Sequence, residues 1–357
     1  MLSRKIGKNE YLVHLHQLNK FIIVDKQNLL LIKNFINLTK KEFDKFLKLN
    51  YNELSSSIKD NLRELFKIPK KEKEHQIFNN KKSKNTETFS FSLSGINYQI
   101  EYDNFKIISS VLGLLNHLKS KNKVNSQKIL VQSNSKFSCL SLSNKKYIFK
   151  TIDSHILSGK IISFLTSQFH KIKYELWAGF LHGTTIEKNN KGVLIVGKSG
   201  SGKTISSSIL IQNGFNLIAD DMSPLTRDGY IAHFPNAMSI KKSGFNKVKK
   251  IIKNDFYVFE TLGPKGTTQY IYPSLNKIVK LRTKCNIIVK IEYVKNSQFR
   301  LDQISHKEIL PHFLDDSYVN NKKISAKSFM DWFVNSKCYK LKYSKDFDLV
   351  NGLDELI

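Results

Sequence analysis

A chain of 357 residues, 40% apolar and 25% charged, can bury more core than one small domain needs, which excludes a disordered or fibrous protein. No stretch approaches the roughly 18 uncharged apolar residues of a membrane helix, and charges and histidines occupy the opening residues where a signal peptide has its apolar run. The expected setting is the cytoplasm. The formal charge of +28 rests on 58 basic residues, of which only Arg4, Arg63, Arg227, Arg282 and Arg300 are arginine. Sequence-reading proteins lean on the planar arginine fork for guanine, so a lysine-borne field points to phosphate-bearing substrates rather than nucleic acid. Cys139, Cys285 and Cys338 are odd in number and widely spaced, which argues against a disulfide framework or a zinc site.

Near the N-terminus, Lys20 to Asp25 and Leu29 to Phe35 are two β-type runs split by Lys26-Gln27-Asn28, which predicts a hairpin. Thr39 with Glu42 three residues later forms a capping box ahead of Phe43, Phe46 and Leu47, and predicts a helix. A second helix fits Glu53 to Phe66, with Ile58, Leu62, Leu65 and Phe66 on one stripe. His14 and His16 alternate as on a strand, and two ligands alone do not make a metal site. The lysine-rich stretch Ile68 to Thr88 has little to bury and reads as a linker. The expected division is therefore a small α+β region over residues 1–67, the linker over 68–88, and a larger α/β domain over 89–357. Within that domain strands are expected at Phe89 to Leu93, Asn97 to Tyr102, Ile129 to Gln132, Phe137 to Leu142 and Lys146 to Phe149, with helices over Lys106 to Leu118 and Ser158 to Phe169.

The chemistry begins with Gly197-Lys198-Ser199-Gly200-Ser201-Gly202-Lys203-Thr204, which satisfies G-x-x-x-x-G-K-[ST] at every constrained position. The apolar run Gly192 to Val196 precedes it as a buried strand, and Thr204 to Gln212 follows as a helix stopped at Gly214. Glycines let the backbone N–H groups point inward as an anion nest, and the helix N-terminus adds about half a positive charge at the same spot. Lys203 can then reach the β- and γ-phosphates of a nucleotide, and the Thr204 hydroxyl can ligate magnesium.

Asp220-Asp221 ends the next strand, Phe215 to Ala219. A helix of about ten residues climbs roughly 15 Å and a strand of five or six returns roughly 17–20 Å, so both carboxylates end at the loop's edge of the sheet. Adjacent strand residues face opposite ways, leaving one to hold magnesium and the other to face an acceptor hydroxyl. His182 precedes the short strand Gly183 to Ile186, and folding the polar turn Glu187 to Lys191 as a hairpin sets His182 opposite Val196, beside the glycine loop.

With H-G, a strand, G-K-S-G-S-G-K-T, a short helix, G-F-N-L and I-A-D-D in this order, Leu181 to Asp221 resembles the catalytic core of the HPr kinase/phosphorylase family. That family's relatives include peptide- and amino-acid-serine kinases on the same fold, related to phosphoenolpyruvate carboxykinase. The resemblance implies a P-loop kinase core and ATP-dependent phosphorylation of a hydroxyl, commonly serine, on a peptide, protein or small molecule. It places Lys203 on the phosphates and Thr204 on magnesium, divides the metal and general-base roles between Asp220 and Asp221, and has His182 orient a carboxylate or a phosphate oxygen. It also implies that the chain can form a homo-oligomer.

Farther on, Phe234 to Lys241 is similar to a proline-to-lysine stretch of related kinases, which makes Lys241 a candidate substrate contact. HPr kinases carry an arginine-glycine signature near Thr261 to Ser274, where this chain has Leu262-Gly263-Pro264-Lys265-Gly266. Lys265 supplies a charge there without the bidentate fork, which tells against HPr itself as acceptor and against the reverse phosphorylase reaction. The N-terminal region is similar to the small peptide-recognition domain of ribosomal-peptide modification systems. The competing reading is a P-loop ATPase or nucleotide switch with no phosphoryl acceptor, and the short spacing from loop to aspartates argues against it.

Overall fold

The structure is a computed structural model that describes residues 1–51, 55–67, 86–122, 124–198, 200–252, 256–263, 266–274, 280–312, 314 and 316–357. The chain is a mixed α/β protein whose strands, among these residues, form four sheets. No helix in the described residues is long and apolar enough to cross a membrane.

The first sheet is antiparallel, with Glu10–Leu15 between Leu2–Lys5 and Lys20–Asp25. The expected hairpin partner, Leu29 to Phe35, is not a strand: Lys26–Asn37 is one helix. Asp25 decides the difference, because its carboxylate accepts the Asn28 backbone N–H at 2.7 Å and caps the helix where a turn was expected. The leucine-rich run then buries Leu29, Leu31 and Ile32 on one helical face. The next helix, Lys40–Tyr51, has the expected capping box, with the Thr39 N–H donating to Glu42 Oε2 at 2.9 Å and the Glu42 N–H to Thr39 Oγ1 at 3.4 Å. The third helix is Ser55–Leu65, and the expected linker lies almost wholly outside the described residues.

Strand alternation buries this small sheet on both faces. Val13 and Leu15 pack under the three helices with Leu47 and Leu62. Leu12 faces the other way, into a core shared with Phe329, Met330 and Phe333 of the late helix Lys323–Val334. Around it, Phe21 meets Phe329 edge-on at 5.0 Å, Arg4 Nε lies 2.5 Å from Asp331 Oδ1, and Asn19 Nδ2 donates to the Val319 carbonyl at 2.9 Å.

A five-stranded sheet follows, ordered Glu87–Leu93, Ile96–Tyr102, Gln127–Ser133, Phe137–Leu142 and Lys145–Lys150, with the helices Phe105–Leu115 and Ser154–Phe169 packed on it. These elements stand where the alternating and helical patterns predict them. Gly113, inside the first of the two helices, is set by packing: a Cβ there would lie 2.2 Å from the Tyr270 ring. Alanine would gain about 1 kcal/mol of helix propensity, but a ring body at that distance cannot yield without moving its strand. An overpacking cost of about 1–3 kcal/mol set against that gain should leave Gly113→Ala less stable by up to about 2 kcal/mol in urea unfolding.

The largest sheet has ten strands, ordered Asn216–Ala219, Thr184–Lys188, Lys191–Val196, Arg282–Tyr293, Tyr230–Ala232, Met222–Leu225, Gly179–His182 and Tyr318–Val319, with Lys337–Tyr343 attached to Arg282–Tyr293 and Arg300–Gln303 attached in turn to Lys337–Tyr343. The long strand Arg282–Tyr293 joins two arrangements. Its start pairs antiparallel with Tyr230–Ala232, and its remainder runs parallel to Lys191–Val196 and Lys337–Tyr343. Lys191–Val196 is thus an inner strand, buried from Gly192 to Val196, as its unbroken apolar run requires. Met238–Lys241, Gly266–Pro273 and Phe256–Gly263 make the fourth sheet.

Candidate active site

The buried strand Lys191–Val196 ends in the glycine loop, and the helix Lys203–Gln212 starts directly from it. Gly200 and Gly202 hold φ of 86° and 91°, a region in which a Cβ is strained, and Gly202 is the helix N-cap. Lys203 Nζ donates to the Gly197 carbonyl at 2.6 Å and to the Lys198 carbonyl at 3.4 Å, so it lies folded along its own loop. The Ser201 hydroxyl is buried with no hydrogen-bond partner among the described residues. Ser199 lies outside the described residues. The helix is anchored below by Ile209, Leu210 and Ile211 and by a 2.7 Å hydrogen bond between Ser206 Oγ and Tyr343 Oη.

Asn216–Ala219 pairs antiparallel with Thr184–Lys188, which pairs antiparallel with Lys191–Val196, so the aspartate strand runs parallel to the loop strand two places away. Asp220 and Asp221 accordingly follow the strand end at the loop's edge. Their opposite facing has a different origin from simple strand alternation, because Asp221 takes a left-handed φ of 63° and the Met222 N–H closes back on the Asp220 carbonyl at 2.7 Å. The turn leaves Asp220 buried and Asp221 exposed. Asp220 Oδ1 accepts the Thr184 hydroxyl at 2.5 Å, and the Asp220 carbonyl accepts Asn236 Nδ2 at 3.0 Å. Burial first, and then the charge of Asp221, raise the Asp220 carboxyl to about 7.

The hairpin of Thr184–Lys188 with Lys191–Val196 forms with Thr184 opposite Ile195. His182 is nevertheless not held opposite Val196. It closes a separate strand, Gly179–His182, and pairs with Met222. Gly183 lets the two strand systems meet, since a Cβ there would stand 2.7 Å from the Ile195 carbonyl oxygen. His182 Nδ1 lies 3.5 Å from Asp221 Oδ1, while the His182 N–H donates to Ser317 Oγ at 2.7 Å.

Lys203 sits within reach of these charges. Burial lowers its pKa, and Asp221, Asp220 and Asp316 oppose that shift while Lys241 adds to it. Lys241, exposed at the end of Met238–Lys241, is thereby placed near Lys203, whereas Lys265 lies outside the described residues. Thr204 stands in the first turn of the loop helix.

Four neighbours were not foreseen from the sequence: Thr184, Asn236, Asp316 and Tyr270. The buried Tyr270 phenol has its pKa raised by burial and feels the charge of Asp221. Thr184 and Asn236 carried a weak signal, as polar residues in or beside apolar strands. Asp316 and Tyr270 carried none, because long-range packing brings them in.

Thr204, Asp220 and Asp221 carry hard oxygen donors, the chemistry that magnesium prefers, and the buried Asp220 carboxyl with its raised pKa would gain from a cation. The unpartnered Ser201 hydroxyl and the positive-φ glycines fit a phosphate in the loop.

No family model matches the chain. It is 43% identical over 81 residues to an HPr kinase/phosphorylase of Malacoplasma penetrans, a match covering 22% of this chain and 25% of that protein. It is 38% identical over 77 residues to a putative HPr kinase/phosphorylase of Fusobacterium nucleatum, covering 20% of this chain and 12% of that protein. The chain thus spans a quarter or less of the length of these relatives. The solved Hpr(Ser) kinase/phosphatase of Coxiella burnetii aligns with 50% of this chain and 96% of its own at 12% identity, with a TM-score of 0.26 that carries no inference about fold or activity. Over part of its length, the chain is similar in sequence to HPr kinase/phosphorylases.

Proposed function

We propose that the chain is an ATP-dependent kinase that transfers the γ-phosphoryl group to a hydroxyl, serine-type in chemistry, of a peptide, protein or small molecule, on a P-loop core of the HPr kinase type. The observation that carries this reading is the convergence of Lys203, Asp220, Asp221 and His182 on one edge of the ten-stranded sheet, beside the glycine loop. The partial similarity to proteins named HPr kinase/phosphorylase supports it.

In this reading the backbone N–H groups of Gly197 to Thr204 and the start of the loop helix hold the phosphates. Lys203 exchanges its loop carbonyls for phosphate oxygens and neutralises charge as it shifts toward the leaving side. Thr204 and Asp220 would hold magnesium, and the ion would supply neutralisation of phosphate charge. Asp221 is the carboxylate that an acceptor arriving from solvent meets, and it takes the acceptor's proton while His182 orients it. Lys241 is positioned to contact the acceptor or a phosphate oxygen.

The test is mass spectrometry of peptide and metabolite fractions incubated with the protein and magnesium-ATP, beside a Lys203→Ala control. A species gaining one phosphoryl group only with the intact protein is the expected result. ATP loss with no such species would replace the kinase by an ATPase or switch.

The structure changes how the N-terminal region can be tested for acceptor recognition. Deleting residues 1–67 would strip Leu12 and Phe21 from the core around Phe329, so loss of activity after that deletion would report unfolding.

A further inference from the structure

We infer that the cleft between the edge strand Lys145–Lys150 and the helix Ser154–Phe169 is a second ligand site, taking a small organic anion with an apolar or aromatic body. The cleft encloses about 340 Å³, at the low end of small-molecule sites, and is lined by Tyr147, Lys160, Ser163, Phe164, Lys173 and Tyr174 among others. None of its lining residues belongs to the glycine loop or the aspartate turn.

Lys160 is the centre of the argument. Its Nζ stands 4.7 Å from the centroid of the Tyr147 ring and 4.0 Å from that of Tyr174, so a half-buried ammonium is sandwiched by two ring faces. Burial and the neighbouring Lys145 charge both pull its pKa down, with Glu175 opposing them. An anionic head would offset both the desolvation and the like-charge repulsion, and at the lining three lysines, Lys145, Lys160 and Lys173, outnumber the one carboxylate, Glu175. The rings and Phe164 provide the wall for an apolar body. The Tyr174 ring is held in place: it stacks on Phe180 at 5.8 Å and meets Tyr318 at 5.6 Å, and Ser167 Oγ at the cleft accepts the Trp177 indole N–H at 3.0 Å. The wall is therefore built before any ligand arrives.

The shared ligand chemistry is an acidic head on an apolar body, so calorimetric titrations with phenyl phosphate, benzoate and inorganic phosphate separate phosphate from carboxylate heads and head from body. In the Lys203→Ala background, phenyl phosphate or benzoate should saturate one site per chain and exceed inorganic phosphate. Lys160→Met, which keeps the apolar stem, should weaken that binding about tenfold or more. Far-UV circular dichroism and melting temperature establish that each variant is folded. The glycine loop is also an anion site, so Lys203→Ala is titrated in parallel. Binding retained in Lys203→Ala and lost in Lys160→Met supports the cleft. The reverse pattern, equal binding by Lys160→Met and the parent chain, or no saturable binding of any probe would overturn it.

Discussion

Lys203→Ala is expected to reduce nucleotide-dependent turnover by about 10²–10⁴-fold while leaving the melting temperature within a few degrees of the parent chain. The two halves of this expectation have separate physical sources. Burial destabilises the Lys203 ammonium, and the charges of three nearby aspartates oppose that effect. Its packing role is small, since its hydrogen bonds run only to carbonyls of its own loop. On the proposed reading, removing it deletes charge where phosphoryl transfer would accumulate it, without opening a core. Phosphorylated product followed by mass spectrometry, and melting followed by circular dichroism, measure the two halves independently. Turnover retained within about threefold would remove the glycine loop from the chemistry.

Asp220→Asn is expected to act in opposite directions on activity and on stability. If the proposed kinase reading holds, turnover should fall by orders of magnitude, because an amide would neither ligate magnesium well nor carry the charge assigned to Asp220. Stability of the magnesium-free protein should rise at alkaline pH. The Asp220 carboxyl sits at about 7 when folded, against an ordinary value near 4 when unfolded. Between those values the folded chain holds a proton that the unfolded chain has lost, so stability falls as pH rises through that window and stays low above it. The cost is at most about 4 kcal/mol from a difference of about three pH units. Asparagine avoids that cost and still accepts the Thr184 hydroxyl. Melting temperature at pH 8 should therefore rise by about 2–6 °C over the parent chain, with the gap closing as pH approaches 4. A variant that melts lower at pH 8 would show that Asp220 is held by compensating charge rather than strained by burial.

Much of the architecture was legible in the sequence where one local rule dominated. The capping box at Thr39 and Glu42, the alternating strands from Phe89 to Phe149 and the strand-loop-helix from Gly192 to Gln212 each follow from short-range pattern. The error at Leu29 to Phe35 arose where a short apolar run fits either strand or helix, and the Asp25 cap settled it. The positions of Lys203, Asp220 and Asp221 at one edge follow from helix rise and strand return. The surroundings of that edge do not. The turn that sends Asp221 outward depends on a left-handed residue with no glycine to announce it, and His182 reaches Asp221 through pairing with Met222. Tyr270, set against Gly113, and Asp316 come from distant elements whose approach is a property of the packed sheets.

The N-terminal sheet's second face has a consequence for synthesis. Arg4 and its partner Asp331 are 327 residues apart in the chain, and Leu12 and Phe21 are covered by the same late helix. At about 5–20 residues per second, a ribosome leaves that apolar face uncovered for roughly 15–65 seconds after its strands have emerged. The three helices can form on the first face meanwhile, because Val13 and Leu15 need only partners within the first 65 residues. The second face must wait, so the nascent chain presents a half-finished sheet for most of its translation. Closing the two ends onto each other is thus a late step, and slowed elongation or truncation before residue 329 would lengthen the exposure most prone to aggregation.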